Sequence, residues 1–307
     1  MGSRRGAALL TALLIVSVVA ALATGMISAQ HLDIRRTGNL LDRDRGLQFA
    51  LGGEAWAMAI LTRDAAESTT DHLNEIWAAN PPVIPVAGGT ARGKITDLQG
   101  RFNLNNLVHD GQQSLPDRLR FERLLQVVGV DPRLAAAVID WIDPDSFVVG
   151  PGGAENETYL GKRPPYRAAN QFFVSVSELR LVQGFDAATV DRLSPLVTAL
   201  PERTEINVNT APLEVLMTLF ERMSREQAKI LDDKRNRGKG FADVGTFLAD
   251  PMFTGREVLS GGLTVASRYF LVEGEVRLER SRTRLASLLY RREGRVTLLR
   301  RVQGGNL

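Results

Sequence analysis

The spacing of hydrophobic positions changes character three times along the chain. Gly6 to Gln30 is a run of 25 residues without a charge, rich in Ala, Leu, Val and Ile, and it directly follows Arg4 and Arg5. At about 1.5 Å per residue, such a helix crosses a hydrocarbon core of roughly 30 Å. Beyond it, apolar residues continue at helical spacing through Leu40, Leu41, Leu47, Leu51, Trp56, Met58, Ile60 and Leu61. This predicts one helix over residues 7–62, about 84 Å long if continuous, with Gly38, Gly46, Gly52 and Gly53 as soft points.

Asn80-Pro81-Pro82, Pro85 and Gly88-Gly89 then mark a loop. Residues 91–107 read as two short strands around Asp97-Leu98-Gln99-Gly100, and 109–260 as short helices with turn punctuation. Asp131-Pro132 opens a helix through Leu134 to Ile142, and the capping box Ser224-Arg225-Glu226-Gln227 opens another through Leu231. Val127-Val128-Gly129-Val130-Asp131 and Leu181-Val182-Gln183-Gly184-Phe185-Asp186 form a weak internal repeat, each half preceding a helix. From Ala266 the period becomes 2, with Phe270, Val272, Val276 and Leu278 on one strand face and further strands over 283–290 and 295–302. An antiparallel meander of this kind needs its apolar face covered, and the second half of the long helix is the available partner.

Composition removes several chemistries. Among 307 residues there is no cysteine, so disulfides, thiolate catalysis and cysteine metal sites are excluded, and the three scattered histidines leave little for a transition-metal centre. No phosphate-loop lysine motif, nucleophile elbow or His-Glu-x-x-His is present, and no catalytic residue is assigned. The net charge of +3 is uneven: residues 277–301 hold nine arginines against Glu279 and Glu293. Those arginines alternate with apolar residues, as on a solvated sheet face, although phosphate, lipid headgroups and acidic protein are also attracted by such a stretch.

The apolar run has three readings. A secretory signal cut after Ala23 fits Ala21-Leu22-Ala23, and a plain anchor fits the length. The helical pattern continuing past the run favours a stalk, half in lipid and half on a folded domain. Arginines on its N-terminal side predict a cytoplasmic N-terminus with the remainder outside the inner membrane, in the periplasm. Here the sequence resembles the pilin-like proteins: a short basic leader ending in Gly6 and followed by an apolar helix looks like a prepilin leader. The resemblance implies cleavage by prepilin peptidase between Gly6 and Ala7 and N-methylation of Ala7. That family places glutamate at the fifth mature position, where this chain has Thr11. Without that carboxylate a subunit cannot neutralise a neighbour's buried terminal ammonium, a defect that is harmless only at a filament end.

The missing glutamate and the length together resemble the K subunits of type II secretion systems, minor pseudopilins at the pseudopilus tip. The resemblance covers essentially the whole chain. It implies an α+β fold: a pilin-like long N-terminal helix packed on an antiparallel sheet, with a large mainly helical (helix-hairpin-helix/SAM-like) domain inserted between early and late strands. The expected organisation is a leader at 1–6, the stalk helix at 7–62, the first part of the pilin-like domain at 63–108, the insertion at 109–260 and the closing strands at 261–307. The implied partners are the I and J minor pseudopilins, prepilin peptidase, other type II secretion components and the inner membrane, with no nucleic acid.

One loop carries candidate chemistry. Asp140-Trp141-Ile142-Asp143-Pro144-Asp145 and Gly150-Pro151-Gly152-Gly153-Ala154-Glu155-Asn156-Glu157 place five carboxylates within 18 residues. Calcium takes six to eight hard oxygens from flexible loops of this composition, but the spacing is not that of an EF-hand, and a solvated acidic loop fits the pattern as well. The K-subunit resemblance implies structural calcium, with Asp140, Asp143, Asp145, Glu155 and Asn170 as the expected ligands and Glu157 and Glu178 behind them.

Glu205-Ile206-Asn207-Val208-Asn209-Thr210-Ala211-Pro212 resembles the opening of helix-hairpin-helix DNA-binding modules, which gives the competing reading of a membrane-anchored periplasmic DNA-binding protein. The hairpin equivalents Gly129-Val130-Asp131, Gly184-Phe185-Asp186 and Arg222-Met223-Ser224 all lack the second glycine, and aspartate at that place repels phosphate.

Overall fold

In the computed structural model, residues 3–79, 81–279 and 281–305 are described, with side chains in the first helix from residue 9 onward. Asn80, at the start of the expected loop, lies outside the described residues. Helix α1 runs unbroken over Ser3–Glu67, 65 residues, or roughly 100 Å. None of its apolar window is buried, and it is the one helix among the described residues long and apolar enough to cross a membrane.

The glycines in α1 are not soft points. The helix continues through all four, and Gly46 is explained by packing: a Cβ there would stand 2.6 Å from the Thr283 hydroxyl. The absent side chain lets the helix approach the sheet closely.

The sheet has five strands, β1 (Ile84–Val86), β2 (Gly89–Asp97), β3 (Tyr269–Leu278), β4 (Ser281–Arg292) and β5 (Arg295–Gln303), antiparallel throughout and in chain order. The period-2 positions predict the buried face correctly: Phe270, Val272 and Leu289 pack with Ala57, Leu61 and Trp77, while Val276, Leu278 and Leu285 pack with Ala50. Glu54 on α1 is buried between Arg301 and the Ser287 hydroxyl, which pins helix to sheet by an ion pair within the apolar seam.

Between β2 and β3 the chain leaves the sheet and builds a larger apolar core around Phe121, Leu125, Ile139, Trp141, Val197 and Phe247. Its helices are α2 (Leu115–Val127), α3 (Leu134–Ile142), α4 (Asn156–Leu160), α5 (Ala187–Leu193), α6 (Leu213–Leu216), α7 (Arg225–Asn236) and α8 (Val244–Leu248). The second expected strand differs. Phe102–Asn103 pairs in parallel with Val197–Thr198, and Leu104–Leu107 is a 3₁₀ turn. The cause is local amide chemistry: buried Asn105 donates its side-chain N–H groups to the Phe173 and Leu200 carbonyls, satisfying neighbouring segments instead of extending a ladder.

Asp97, at the end of β2, ties this region to the sheet. Its buried carboxylate accepts from the Thr210 hydroxyl at 2.5 Å, the Ser267 hydroxyl at 2.6 Å and the Asn207 amide at 3.2 Å. Burial pushes its carboxyl up to about 6 against these donors.

Candidate metal centre

Helix α3 ends in the acidic loop, and its last turn organises that loop. Asp140 is fully buried; one carboxylate oxygen accepts from the Val149 N–H at 2.9 Å and the other from the Ala154 N–H at 2.7 Å. The loop reaches these contacts because residues 152 and 153 are glycine. Gly152 has φ +93°, and a Cβ on Gly153 would lie 2.4 Å from an Asp140 oxygen. Of the expected ligands, Asp140 is therefore the clamp of the loop, with each oxygen already holding a backbone N–H.

The fold brings three others together. Asp143, Asp145 and Glu155 each offer a carboxylate oxygen within 4.8 Å of the other two. Asp143 and Glu155 are buried at 4% and 5% exposure, and an oxygen of each has no hydrogen-bond partner. Asn170 is tied to the same loop: its amide nitrogen donates to the Asp145 carbonyl at 2.7 Å, its backbone N–H donates to the Trp141 carbonyl at 3.0 Å, and its side-chain oxygen is unpartnered. Its φ of +46° is a conformation that asparagine tolerates better than most residues. Glu157 is exposed beside the loop, and Glu178 serves as a helix cap, accepting from the Val174 and Ser175 N–H groups.

Unpaired buried carboxylates are costly, and here they repel one another. Burial first, then Asp145, Asp140 and Glu155, pushes the Asp143 carboxyl up to about 7. The Glu155 carboxyl is also raised, chiefly by burial. Orphaned oxygens on hard ligands, with no thiolate or imidazole among them, fit a divalent cation of the calcium type and not a soft transition metal.

A second acidic cluster escaped the sequence reading. Asp64, Asp71 and Glu75 also offer oxygens within 4.8 Å of one another. Arg291, from β4, already fills it, with Nη1 at 2.7 Å from Asp64 and Nη2 at 2.5 and 2.6 Å from the two oxygens of Asp71. No local spacing signals this, because Arg291 is more than 200 residues distant in sequence from both partners.

Two family models described as type II secretion system (T2SS), protein K match the chain, over residues 100–202 and 206–266. Type II secretion system protein K of Pseudomonas aeruginosa is 39% identical, with 98% of this chain and 93% of that protein aligned. The chain belongs to the type II secretion system protein K family. The protein K of Aeromonas hydrophila is 33% identical over 98% of this chain and 97% of its own length. A chain in the crystal structure of the GspK-GspI-GspJ complex from the enterotoxigenic Escherichia coli type 2 secretion system superposes with a TM-score of 0.79 at 28% identity. That likeness covers 88% of this chain and 99% of that one. The α+β architecture, with a long N-terminal helix on an antiparallel sheet, is thus that of protein K, a structural component of a secretion system.

Within this K-family chain the hairpin repeat recurs in the backbone. Gly129, Gly184 and Arg222 all take positive φ, at 71°, 88° and 56°. Each is followed by an apolar residue and then by Asp131, Asp186 or Ser224, whose side chain accepts from the N–H of Arg133, Thr189 or Gln227. Asp186 and Ser224 cap the helices that follow them, whereas Asp131 holds the turn just before α3.

Proposed function

We propose that the chain is a minor pseudopilin that caps the pseudopilus tip together with I- and J-type minor pseudopilins and has no catalytic role. The observation that carries this reading is the near full-length likeness to a K chain solved in complex with GspI and GspJ. The bare apolar half of α1 supports a single-pass anchor in the inner membrane, and the sheet and its inserted helices make up the periplasmic body. Prepilin peptidase removes residues 1–6 and Ala7 is then N-methylated; Gly6 and Ala7 lie within the bounds of α1. Threonine at position 11 offers no carboxylate to a neighbour's ammonium, which suits the subunit with nothing above it.

Calcium belongs to the same reading. Asp143, Asp145 and Glu155 would hold it, with the Asn170 side-chain oxygen beside them and Asp140 keeping the loop in place. When bound, the ion supplies the positive charge that these carboxylates lack and locks the loop after α3; no reaction runs through it.

Intact-mass measurement of the mature chain tests the function. The expected N-terminus is Ala7 carrying one methyl group, in a complex that co-purifies with the I- and J-type subunits. A chain starting at Thr24 would overturn it.

A further inference from the structure

The sheet face turned away from α1 is divided in two. Its upper half is apolar and covered: Tyr269 and Leu288 pack with Leu98 and Leu200 from the inserted region. Its lower half is bare and basic. Glu275 on β3 stands opposite Arg92 of β2 and Arg284 of β4 in register, and Arg277 and Arg282 close the ring. Glu275 is 8% exposed, and its carboxylate pairs with Arg277 at 2.7 Å, Arg284 at 3.1 Å, Arg92 at 3.2 Å and also with Arg282. Hydrogen bonding from Arg282, then from the other three, holds it far below the usual carboxylate range.

Four guanidinium groups on one carboxylate leave three positive charges. The arginine side chains remain 44–57% exposed, so each has N–H groups directed to solvent beyond those on Glu275. Glu275 orders the guanidiniums and reduces the entropy a second carboxylate would have to remove on binding. A shallow depression of about 490 Å³ runs beside them, lined by Arg92, Lys94, Glu273 and Arg284.

Height decides between lipid and protein as the partner. Gly46 of α1 touches Thr283, which lies between Arg282 and Arg284, so the cluster is level with Gly46. Sixteen residues of helix separate Gln30 from Gly46, about 24 Å. Headgroups extend only about 5–8 Å beyond the hydrocarbon, and charges are screened over about 8 Å at physiological salt. The arginines thus stand clear of a bilayer that ends near Gln30.

We propose that this bare half-face, Arg92, Arg277, Arg282 and Arg284 around Glu275, is a docking surface for an acidic polypeptide segment of a partner protein. Bidentate arginine–carboxylate pairing fixes such a segment across the strands and gives the contact a steep salt dependence.

The test uses the full chain in phosphatidylcholine nanodiscs, titrated with a fluorescent oligo-glutamate peptide. Saturable binding is expected, weakening as salt rises. The double variant R277E/R284E should weaken it about tenfold or more, whereas Arg222→Glu, at a side chain 90% exposed elsewhere, should leave it unchanged. Should the charge reversal fail to fold, Arg277→Gln with Arg284→Gln keeps Arg92 and Arg282 on Glu275 and must still weaken binding. No saturable binding, or equal binding by these variants, overturns the proposal. So does arginine-dependent capture by phosphatidylglycerol vesicles in the absence of peptide binding, which would make lipid the partner.

Discussion

The carboxylates of Asp64, Asp71 and Glu75 and those of Asp143, Asp145 and Glu155 form clusters of the same size, each with one oxygen per residue inside 4.8 Å. The first sits where α1 ends against the sheet and is closed by Arg291, whose guanidinium also donates to the Ser267 carbonyl and stacks 4.7 Å from the Phe270 ring. The second sits at the end of α3, and its buried Asp143 and Glu155 each keep an unpartnered oxygen. Equal acid content therefore leads to opposite chemistry. Where the fold supplies its own cation the cluster is a structural bolt; where it does not, carboxylate oxygens stay unpartnered, which is what the calcium proposal rests on.

The sharpest way to break this comparison is to remove the built-in cation. Arg291→Met leaves Asp71, 1% exposed, with its negative charge and no counter-ion. Deleting one partner of a buried pair costs about 3–5 kcal/mol, and denaturant unfolding of the full chain in detergent should show a loss of that size. A loss under about 1 kcal/mol would mean that the Arg291 cluster behaves like a surface pair.

The corresponding intervention at the other cluster is to add and then remove the proposed calcium. A ligand that binds only the folded state stabilises it by about 2.7 kcal/mol at a hundredfold excess over its Kd. Calcium should raise the thermal midpoint by several degrees and chelation should reverse the change. Calcium should have no such effect on a variant carrying Asp143→Asn and Glu155→Gln. A parent midpoint indifferent to calcium would remove the distinction between the clusters.

Both clusters were present in the sequence, but only one was legible. The loop after α3 could be read because Asp140, Asp143, Asp145 and Glu155 are close in sequence, and glycines at 150, 152 and 153 allow the chain to fold back on them. Its inner geometry could not be read: that Asp140 clamps the loop depends on where the Val149 and Ala154 N–H groups point. The Arg291 bolt was invisible, since it joins α1 to β4 across the whole insertion. The same contrast holds for the fold. Period-2 spacing was enough for β3 to β5, and the capping box was enough for α7. Leu104 to Leu107 turns where the spacing predicts a continuing strand, because the turn depends on buried asparagine amides that bond to residues far along the chain.

The subtlest separation of the two clusters lies in the pH dependence of the metal-free protein. Burial and the neighbouring carboxylates hold the Asp143 carboxyl at about 7, above its ordinary 3.8. The folded state therefore keeps a proton that the unfolded state releases between about pH 4 and pH 7. The stability it contributes is full below pH 4 and is lost as pH rises to 7. Asp64, pushed up to about 6 mainly by burial, adds a slope of the same sign, but that slope does not respond to calcium. Asp143→Asn removes the repelling charge, so the metal-free variant should be more stable than metal-free parent at pH 7.5 by on the order of 1 kcal/mol. Its stability should also fall less steeply over pH 4–7. Asp71→Asn, which weakens a pair that is already neutralised, should do the opposite and destabilise the chain whether or not calcium is present. If both substitutions changed stability in the same direction, the two clusters would not differ in kind, and the absence of an internal cation would not be what distinguishes the α3 loop.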